Sequence, residues 1–298
     1  MLVNEANLAG LFRSYNVIFN QGLAAIKPLW DQIAMLVPST GEDEDYGWLM
    51  DIGGMREWLG DRVVKDLSGC HYNLRNKNFE LTYGLDRNKI EDDKYGLFNP
   101  KITQLAQAAM RHRDALVFAL LTGGFTGICA DGQCFFDDDH PVGESTQSNT
   151  GAGSANNGWF VLDTSQALKP LVLQMRKQPE LVSVTKSDSG PVFNAREFRY
   201  GVDDRKNAGY GLWQLAYGSK DTLTMAHLSA AFQAMMGFTN DDGEPLGIFS
   251  GTKPLVVVPP SLGPTALSLK NNDPIWATTA TTNYLVGSFD LLISPWLT

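Results

Sequence analysis

Residues 79–125, FELTYGLDRNKIEDDKYGLFNPKITQLAQAAMRHRDALVFALLTGGF, decide the fold that the sequence predicts. In the first seven of these residues, Phe79, Leu81, Tyr83 and Leu85 alternate with smaller or polar residues. An apolar side chain at every second position is typical of a strand with one buried face. The segment therefore predicts a strand, and the polar and acidic residues at 86–93 predict the turn that ends it.

A long helix is predicted after this turn. Asn99 stands where an N-cap is expected, Pro100 lies just inside the first turn, and Gly123-Gly124 ends the pattern. One face is apolar and comprises Ile102, Leu105, Ala106, Ala109, Leu116 and Leu120. The opposite face comprises Gln104, Gln107, Arg111 and Arg113. A helix of this size is roughly 35 Å long, which is why we expect it to act as the spine of the molecule.

Length and charge limit the function. A chain of 298 residues can form two modest domains, or one core with extended appendages. The net charge of -9 argues against a protein that coats nucleic acid through phosphate contacts, although such a chain can still enclose nucleic acid. The sequence contains no apolar run long enough for a membrane span, and its start lacks a signal-peptide pattern. Three cysteines are too few for a disulfide framework.

The N-terminal segment predicts a broken helix. Helical spacing runs from Asn4 to about Val37, with one apolar face near residues 8–12 and another at residues 23–34. Pro28 and Pro38 limit its reach. Two interpretations remain open: the segment lies against another subunit, or it is an ordinary N-terminal helix that packs on its own domain.

Residues 39–78 have an unusual composition, with an acidic run followed by tryptophans and then by basic residues. Residues 63–67 and 71–74 can form a hairpin around Ser68-Gly69. An isolated hairpin is marginal in water and its edges attract other chains, so we predict a projecting arm that contacts a neighbouring subunit. The candidate contact residues are Glu42, Asp43, Glu44, Asp45, Trp48, Arg56, Trp58, Arg62, Lys65 and Arg75. The alternative is a solvated loop whose tryptophans anchor it to its own body.

The remainder of the chain predicts shorter elements. Residues 126–157 are rich in Gly, Asp, Ser and Asn and predict a long surface loop. Further strands are predicted at 159–162, 171–175, 181–185, 197–202, 210–216 and 255–258. Helices are predicted at 224–236 and 261–270, and a final strand pair or bent strand at 284–293.

No chemical motif predicts an active site. Cys129, Cys134 and His140, with Cys70-His71, lack the paired spacing of structural zinc sites. The acids at 131 and 137–139 lack the order of a calcium loop, and neither a phosphate-binding loop nor a nucleophile elbow is present. His112 and His227 are expected to be packed or surface residues. We therefore expect no catalytic, cofactor-binding or metal-binding residue and no enzymatic activity.

Several long segments nevertheless resemble one family. These are VPSTGEDEDYGWLMDIGGMREWLGDRVVKDL, YNLRNKNFELTYGLDRNKIEDDKYG, DGQCFFDDDHPV, RYGVDDRKNAGYGLWQLAYGSKDTL and KPLVVVPPSL, which run in this order from Val37 to Leu262. They closely resemble the major head subunit family of Mu-like phages and prophages, the gpT family. The resemblance covers most of the chain, and multi-residue matches of this length are far more specific than a short motif.

The resemblance implies a tailed-phage major capsid protein with the α+β Hong Kong 97 fold. That fold has an N-terminal arm, an extended hairpin loop, a peripheral domain built on a long spine helix with a narrow antiparallel sheet, and an axial domain. The corresponding expectation here is an arm at 1–40, the loop at 41–78, a peripheral domain at 79–220 with the spine at about 99–122, and an axial domain at 221–298. The strands between residues 159 and 217 are expected to complete the peripheral sheet, and residues 289–298 are left open as axial or peripheral.

The implied function is self-assembly into hexamers and pentamers that form an icosahedral shell around phage double-stranded DNA, which is contacted only weakly. The shell belongs to the virion and is assembled in the bacterial host cytoplasm, without a membrane. Implied partners are the portal and a decoration protein, and no charged scaffolding segment precedes the spine, so a separate scaffolding protein is expected. No crosslink is predicted for Lys65, since nothing identifies an acceptor. The alternatives are another virion subunit, such as a tail-tube or decoration protein, and a metal-dependent hydrolase.

Overall fold

The computed structural model describes residues 4–49, 72–92, 96, 98–153, 157–186, 188–272, 275–276 and 280–297. The helices are α1 Glu5–Ala24, α2 Arg87–Asp92, α3 Asn99–Gly123, α4 Gly190–Ala195, α5 Met225–Met236 and α6 Gly263–Asn271. The strands before residue 150 are β1 Ala34–Pro38, β2 Asp43–Asp45, β3 Asn73–Arg75, β4 Lys77–Asp86, β5 His140–Val142 and β6 Ser145–Gln147. The later strands are β7 Trp159–Leu162, β8 Leu171–Val184, β9 Glu197–Tyr210, β10 Ala216–Ser219, β11 Leu255–Val258, β12 Ile275–Trp276, β13 Ala280–Thr281 and β14 Asp290–Ile293.

The strand and the spine helix predicted from residues 79–125 are confirmed. In β4 the partly buried positions alternate with exposed ones, as the period of two requires. Helix α3 ends at Gly123 as predicted but begins with Asn99, so that Phe98 rather than Asn99 takes the N-cap position. The exposed assignment of Arg113 was wrong, because α3 packs against both α1 and the strands β8 and β9 and therefore has two buried faces.

A first sheet lies along the spine, in the order β1-β8-β9-β4. Strands β8 and β9 form a long antiparallel hairpin, β4 pairs over its whole length with residues 197–206 of β9, and β1 runs parallel to the first five residues of β8. The predicted strands at 171–175 and 181–185 are one strand, with register shifts between Met175 and Glu180. Pro179 lies in this irregular stretch, where the absence of a backbone donor can be tolerated. The predicted strand at 197–202 likewise continues to Tyr210.

A second sheet has the order β10-β7-β11-β14. Strands β7 and β10 therefore do not complete the sheet along the spine, and that part of the expectation was wrong. All four residues of β7 and all four of β11 are buried, which is the pattern of a sheet covered on both faces. Strand β14 pairs in parallel with β11, so the C-terminal stretch that was left open joins this second sheet. Only residues 290–293 of the predicted final strand pair are extended there.

The N-terminal segment is a helix followed by a strand. Helix α1 packs on α3, and its side chains Tyr15 and Phe19 are buried against the same chain, as the second interpretation of this segment required. The second predicted helical face at 23–34 is wrong, since the chain leaves the helix at Ala24 and enters β1 at Ala34. Asp114 of α3 fixes this crossing, because its Oδ1 accepts the backbone N–H groups of Leu29 and Trp30 at 2.9 and 2.8 Å.

The segment predicted as a surface loop, 126–157, is partly core. It contains the small hairpin β5–β6, and several of its side chains are buried: Cys129, Phe135, Phe136, His140, Val142 and Asn149. The ring of Phe136 lies between those of Phe125, Phe135 and Phe160, at centroid distances of 5.1, 4.9 and 5.4 Å. This aromatic cluster joins the end of the spine helix to β7. No helix in the described part of the chain combines the length and apolar character needed to cross a bilayer.

Candidate inter-subunit surface

The acidic run at 42–45 and Arg75 meet within one chain. Strand β2 pairs antiparallel with β3, which places Asp43 opposite Arg75 and Asp45 opposite Asn73. Together the two strands form the base from which the predicted arm would project.

Most polar groups at this base already have partners in the same chain. Arg75 forms an ion pair with Glu42, and the two side chains remain 74% and 60% exposed. Asn73 Nδ2 donates to both Asp43 and Asp45 at 3.0 Å. Exposed ion pairs contribute at most about 1 kcal/mol, so the Arg75 and Glu42 side chains can be redirected to a neighbouring subunit at little cost.

Glu44 has a structural role at the same place. One of its carboxylate oxygens accepts hydrogen bonds from the backbone N–H groups of Thr40 and Gly41, at 2.7 and 3.0 Å, and from the Ser39 hydroxyl at 2.9 Å. The backbone N–H groups of Gly41 and Thr40, followed by the Ser39 hydroxyl, hold the pKa of Glu44 below its usual value of 4.5. Glu44 therefore stabilises the turn at 39–41 of its own chain.

We expect Glu44→Gln to loosen this turn. A carboxylate whose pKa is depressed on folding stabilises the folded turn above pH 4.5, and that stabilisation is lost as the pH falls through the lower, folded value. The protection factors of the Thr40 and Gly41 amides, which compare their exchange with that of an unfolded amide at the same pH, should therefore fall on acidification in the parent chain. At neutral pH, exchange of these two amides should already be faster in Glu44→Gln than in the parent chain, by roughly two- to tenfold. Glu42→Gln is the control, and equal acceleration in both variants would contradict the role of Glu44.

The other predicted contact residues are only partly placed. Trp48 lies in the short helical turn Gly47–Leu49 that follows β2. Arg56, Trp58, Arg62 and Lys65 lie outside the described residues, as does most of the hairpin predicted at 63–74.

The structure adds a surface that the sequence reasoning missed, at the far end of the β8–β9 hairpin. Val182 and Val184 are 45% and 42% exposed there, and Phe193 of α4 is 78% exposed. Strand β1 pairs only with residues 171–175 of β8, so the edge of residues 177–184 has no strand partner on that side among the described residues. An exposed apolar strand edge is a site where another chain can pair. The sequence did contain a signal for this surface: in LVSV, residues 181–184, apolar side chains lie on both faces of the strand, so one of them can remain exposed.

The Cys, His and Asp side chains considered as metal ligands group differently in the structure from the grouping considered in the sequence. Cys129 and His140 come together, but their neighbour is Asp131 rather than Cys134, and the ligand atoms of these three side chains all lie within 4.8 Å of one another. Asp137, Asp138 and Asp139 form a second, more exposed group. His112 packs edge-on against Phe79 with a ring distance of 4.4 Å, and burial lowers its pKa. His227 contacts the Thr222 carbonyl through Nδ1 at 2.8 Å.

Comparisons with known proteins agree on one family. The family model described as "Mu-like prophage major head subunit gpT" matches residues 8–297. The "Major capsid protein" of Escherichia phage Mu is 35% identical over the full length of both chains. The "Mu-like prophage FluMu major head subunit" of Haemophilus influenzae is 39% identical over 87% of each chain.

Solved structures show the same fold. A chain of the procapsid of bacteriophage JBD30 superposes with a TM-score of 0.85 and 38% identity, covering 99% of this chain and 100% of that one. A chain of the JBD30 capsid gives a TM-score of 0.79 at 28% identity, with complete coverage of both chains. A chain of a further JBD30 capsid, described as decorated with minor capsid protein trimers, gives a TM-score of 0.77 at 28% identity, covering 93% of each chain.

These full-length matches confirm both the predicted family and the predicted Hong Kong 97 capsid fold. The chain belongs to the Mu-like prophage major head subunit gpT family and is a major capsid subunit.

Proposed function

We propose that the chain self-assembles into hexamers and pentamers that close an icosahedral shell around phage double-stranded DNA. The observation that carries this proposal is the likeness, over 99% of the chain, to a subunit of a phage procapsid. The same likeness favours a shell subunit over a tail-tube or decoration protein and over a metal-dependent hydrolase. We propose that the chain has no enzymatic activity.

Two surfaces of the described chain fit repeated contacts with other copies. A stable interface buries about 1,600 Å² in total, and a shell subunit makes several interfaces, so each can be individually weak. The hairpin end with Val182, Val184 and Phe193 supplies apolar area, and the β2–β3 base supplies charged groups of both signs. We propose that both surfaces contact neighbouring subunits.

We also retain the projecting loop as a contact element. Trp48, Arg56, Trp58, Arg62 and Lys65 lie between β2 and β3 in sequence, and aromatic and arginine side chains dominate the energetics of protein interfaces. In this proposal the loop at 41–78 reaches a neighbour, while Glu44 fixes the point from which it leaves.

The proposed division into domains changes in one respect. We keep the arm at 1–40, the loop at 41–78, the peripheral part around the spine and the axial part from 221 onward. Strands β7 and β10 pair within the sheet that also contains β11 and β14, so we propose that they belong to the axial part.

Other partners follow from the same proposal. The JBD30 capsid decorated with minor capsid protein trimers supports a decoration protein as a partner, and we propose a separate scaffolding protein and a portal as well. The net charge of -9 supports weak contact with packaged DNA, because an acidic wall repels phosphate. We place assembly in the cytoplasm of the bacterial host and the finished shell in the virion.

Phe193→Asp tests the apolar hairpin end. We expect the variant to remain folded, because the Phe193 side chain is 78% exposed, and to form shells at least about tenfold less efficiently, since a charge replaces a buried interface anchor. The measurement is negative-stain electron microscopy and sedimentation of the expressed chain, alone and with a candidate scaffolding protein.

The matched control is Asn194→Asp, which adds the same charge to the next exposed residue of α4. If Phe193→Asp forms normal shells, the hairpin end is not part of the interface. If the parent chain forms rods or remains monomeric, the proposed shell is wrong. Arg62→Glu in the same assay tests the loop.

A further inference from the structure

A buried group of three different side chains lies between the end of the spine helix and the β5–β6 hairpin. The Cys129 thiol donates to Asp131 Oδ1 at 3.0 Å, and His140 Nδ1 lies 2.6 Å from Asp131 Oδ2. Cys129 is 3% exposed, the His140 side chain is fully buried, and the Asp131 side chain is 7% exposed. Neither the capsid fold nor the proposed contacts use this group.

The orientation of His140 is fixed from its other side. Asn149 Nδ2 donates to the backbone carbonyls of Phe135 and Trp213, at 2.8 and 3.3 Å, so its Oδ1 faces His140 Nε2 at 3.2 Å. Nε2 must therefore carry a hydrogen, and Nδ1 is the nitrogen directed at Asp131. The Trp213 ring stacks on the imidazole with a centroid distance of 4.0 Å and an interplanar angle of 6°. A second hydrogen bond of this kind is how proteins orient a metal-binding histidine.

The charge of the group is the same with two protons or with one divalent cation. In the hydrogen-bonded form, one proton belongs to the Cys129 thiol and a second lies between His140 Nδ1 and Asp131 Oδ2, so the three side chains together carry no net charge. A zinc ion would replace these two protons and leave thiolate, carboxylate, neutral imidazole and Zn²⁺, again with no net charge. The exchange releases two protons and needs no oxidant or reductant, so a buried site can accept it without an uncompensated charge.

We propose that Cys129 Sγ, Asp131 and His140 Nδ1 form a zinc site. Thiolate, imidazole and carboxylate are the ligand types that zinc takes, and a three-ligand site leaves one position for water. Asp131 and Trp213 line a cavity of about 320 Å³, which can supply that water. Zinc ligand bonds of about 2.0–2.3 Å place ligand atoms about 3.3–3.8 Å apart. The pairs Cys129 Sγ–Asp131 Oδ1 at 3.0 Å and His140 Nδ1–Asp131 Oδ2 at 2.6 Å therefore need to separate by only about 1 Å or less. The ion would tie the turn after α3 to β5.

Elemental analysis of the unassembled, full-length chain tests the proposal. After expression in zinc-supplemented medium and purification under reducing conditions without chelators, we expect about one zinc per chain. Cys129→Ser and Asp131→Asn should each lower the zinc content at least about tenfold. The matched control is Cys134→Ser, which removes the other described cysteine and should leave the zinc content unchanged.

A second measurement uses the unmodified chain, so it does not depend on the folding of a variant. Removal of the metal with a chelator, followed by addition of Co²⁺, should produce a thiolate-to-cobalt absorption band, and added zinc should bleach it. Less than about a tenth of an equivalent of zinc together with no cobalt band would overturn the site. Zinc retained by Cys129→Ser but lost by Cys134→Ser would overturn the ligand assignment. Neither readout depends on shell assembly.

Discussion

Asp204→Asn is expected to lower the free energy of unfolding by about 3–5 kcal/mol, the usual cost of removing one partner from a buried ion pair. Asp204 is 5% exposed and forms an ion pair with Lys206, whose side chain is completely buried beneath the spine helix. Burial lowers the pKa of Lys206 and that of nearby Arg113, while the Asp204 charge opposes both shifts. Without the carboxylate, two buried cations face each other. Urea unfolding of the unassembled subunit measures the loss.

Three further variants make this prediction specific. Lys206→Met should cost less than Asp204→Asn, because Arg113 still faces the remaining carboxylate. The double variant Asp204→Asn/Lys206→Met should recover part of the loss, since only the Arg113 cation then lacks the carboxylate. Asp203→Asn applies the same chemistry to the adjacent residue, whose side chain is 40% exposed and pairs with Lys177, and should cost at most about 1 kcal/mol. Equal effects at 203 and 204 would contradict the argument.

Phe136→Ala is expected to destabilise the subunit by about 3–5 kcal/mol, as truncation of a fully packed phenylalanine does. Phe136 is 3% exposed and lies among three other phenylalanine rings. The backbone at Gly218 also approaches it closely, since an added Cβ there would lie 2.7 Å from the ring. The Phe160 ring is fixed on β7 and the Phe135 ring stacks on Tyr210 of β9, so the surrounding rings cannot move in to fill the cavity. The unfolding free energy of the unassembled subunit is again the measured quantity.

Ile128→Ala is the matched control, since Ile128 belongs to the same segment but is 63% exposed. It should change the unfolding free energy by no more than about 0.5 kcal/mol. A surface loop, as the composition of residues 126–157 suggested, would give a small effect at both positions. Phe136→Leu, which conserves much of the volume, should cost less than about 1.5 kcal/mol.

The parts of the fold that were predictable are those with a local period. The alternation in β4, the apolar face of α3 from Ile102 to Ala109 and the continuous apolar run of β11 depend only on neighbours in sequence, and all three are confirmed. In the second half of α3 the predicted face was wrong: Leu116 and Leu120 are only partly buried, while Val117, Phe118 and Leu121 are fully buried. The segment at 126–157 was misassigned because its abundant small and polar residues hide Phe135 and Phe136, which are buried by contacts with distant elements. Arg113 was misassigned because the strands β8 and β9 cover its side of the spine, where its guanidinium donates to Gln178 of β8 at 2.8 Å.

The candidate surfaces were predictable only in composition. The acidic run and Arg75 were recognised as charged groups. That they pair with each other within the chain could not be predicted, because the pairing of β2 with β3 joins residues that are about 30 positions apart in sequence. The roles of Arg56, Trp58, Arg62 and Lys65 remain predictions. Asp131 was considered only together with the acidic residues at 137–139 and not as a companion of Cys129, because the approach of His140 depends on how the segment folds back.

The irregular stretch of β8 has a mechanical consequence for the proposed shell. Between Met175 and Glu180 the ladder to β9 shifts register twice, so fewer hydrogen bonds resist bending there than in the regular pairing on either side. Identical subunits in five-fold and six-fold rings must meet at different dihedral angles. We expect the first sheet to bend at residues 175–180 to accommodate this difference, and helix α3 and the second sheet to keep the same conformation in both rings.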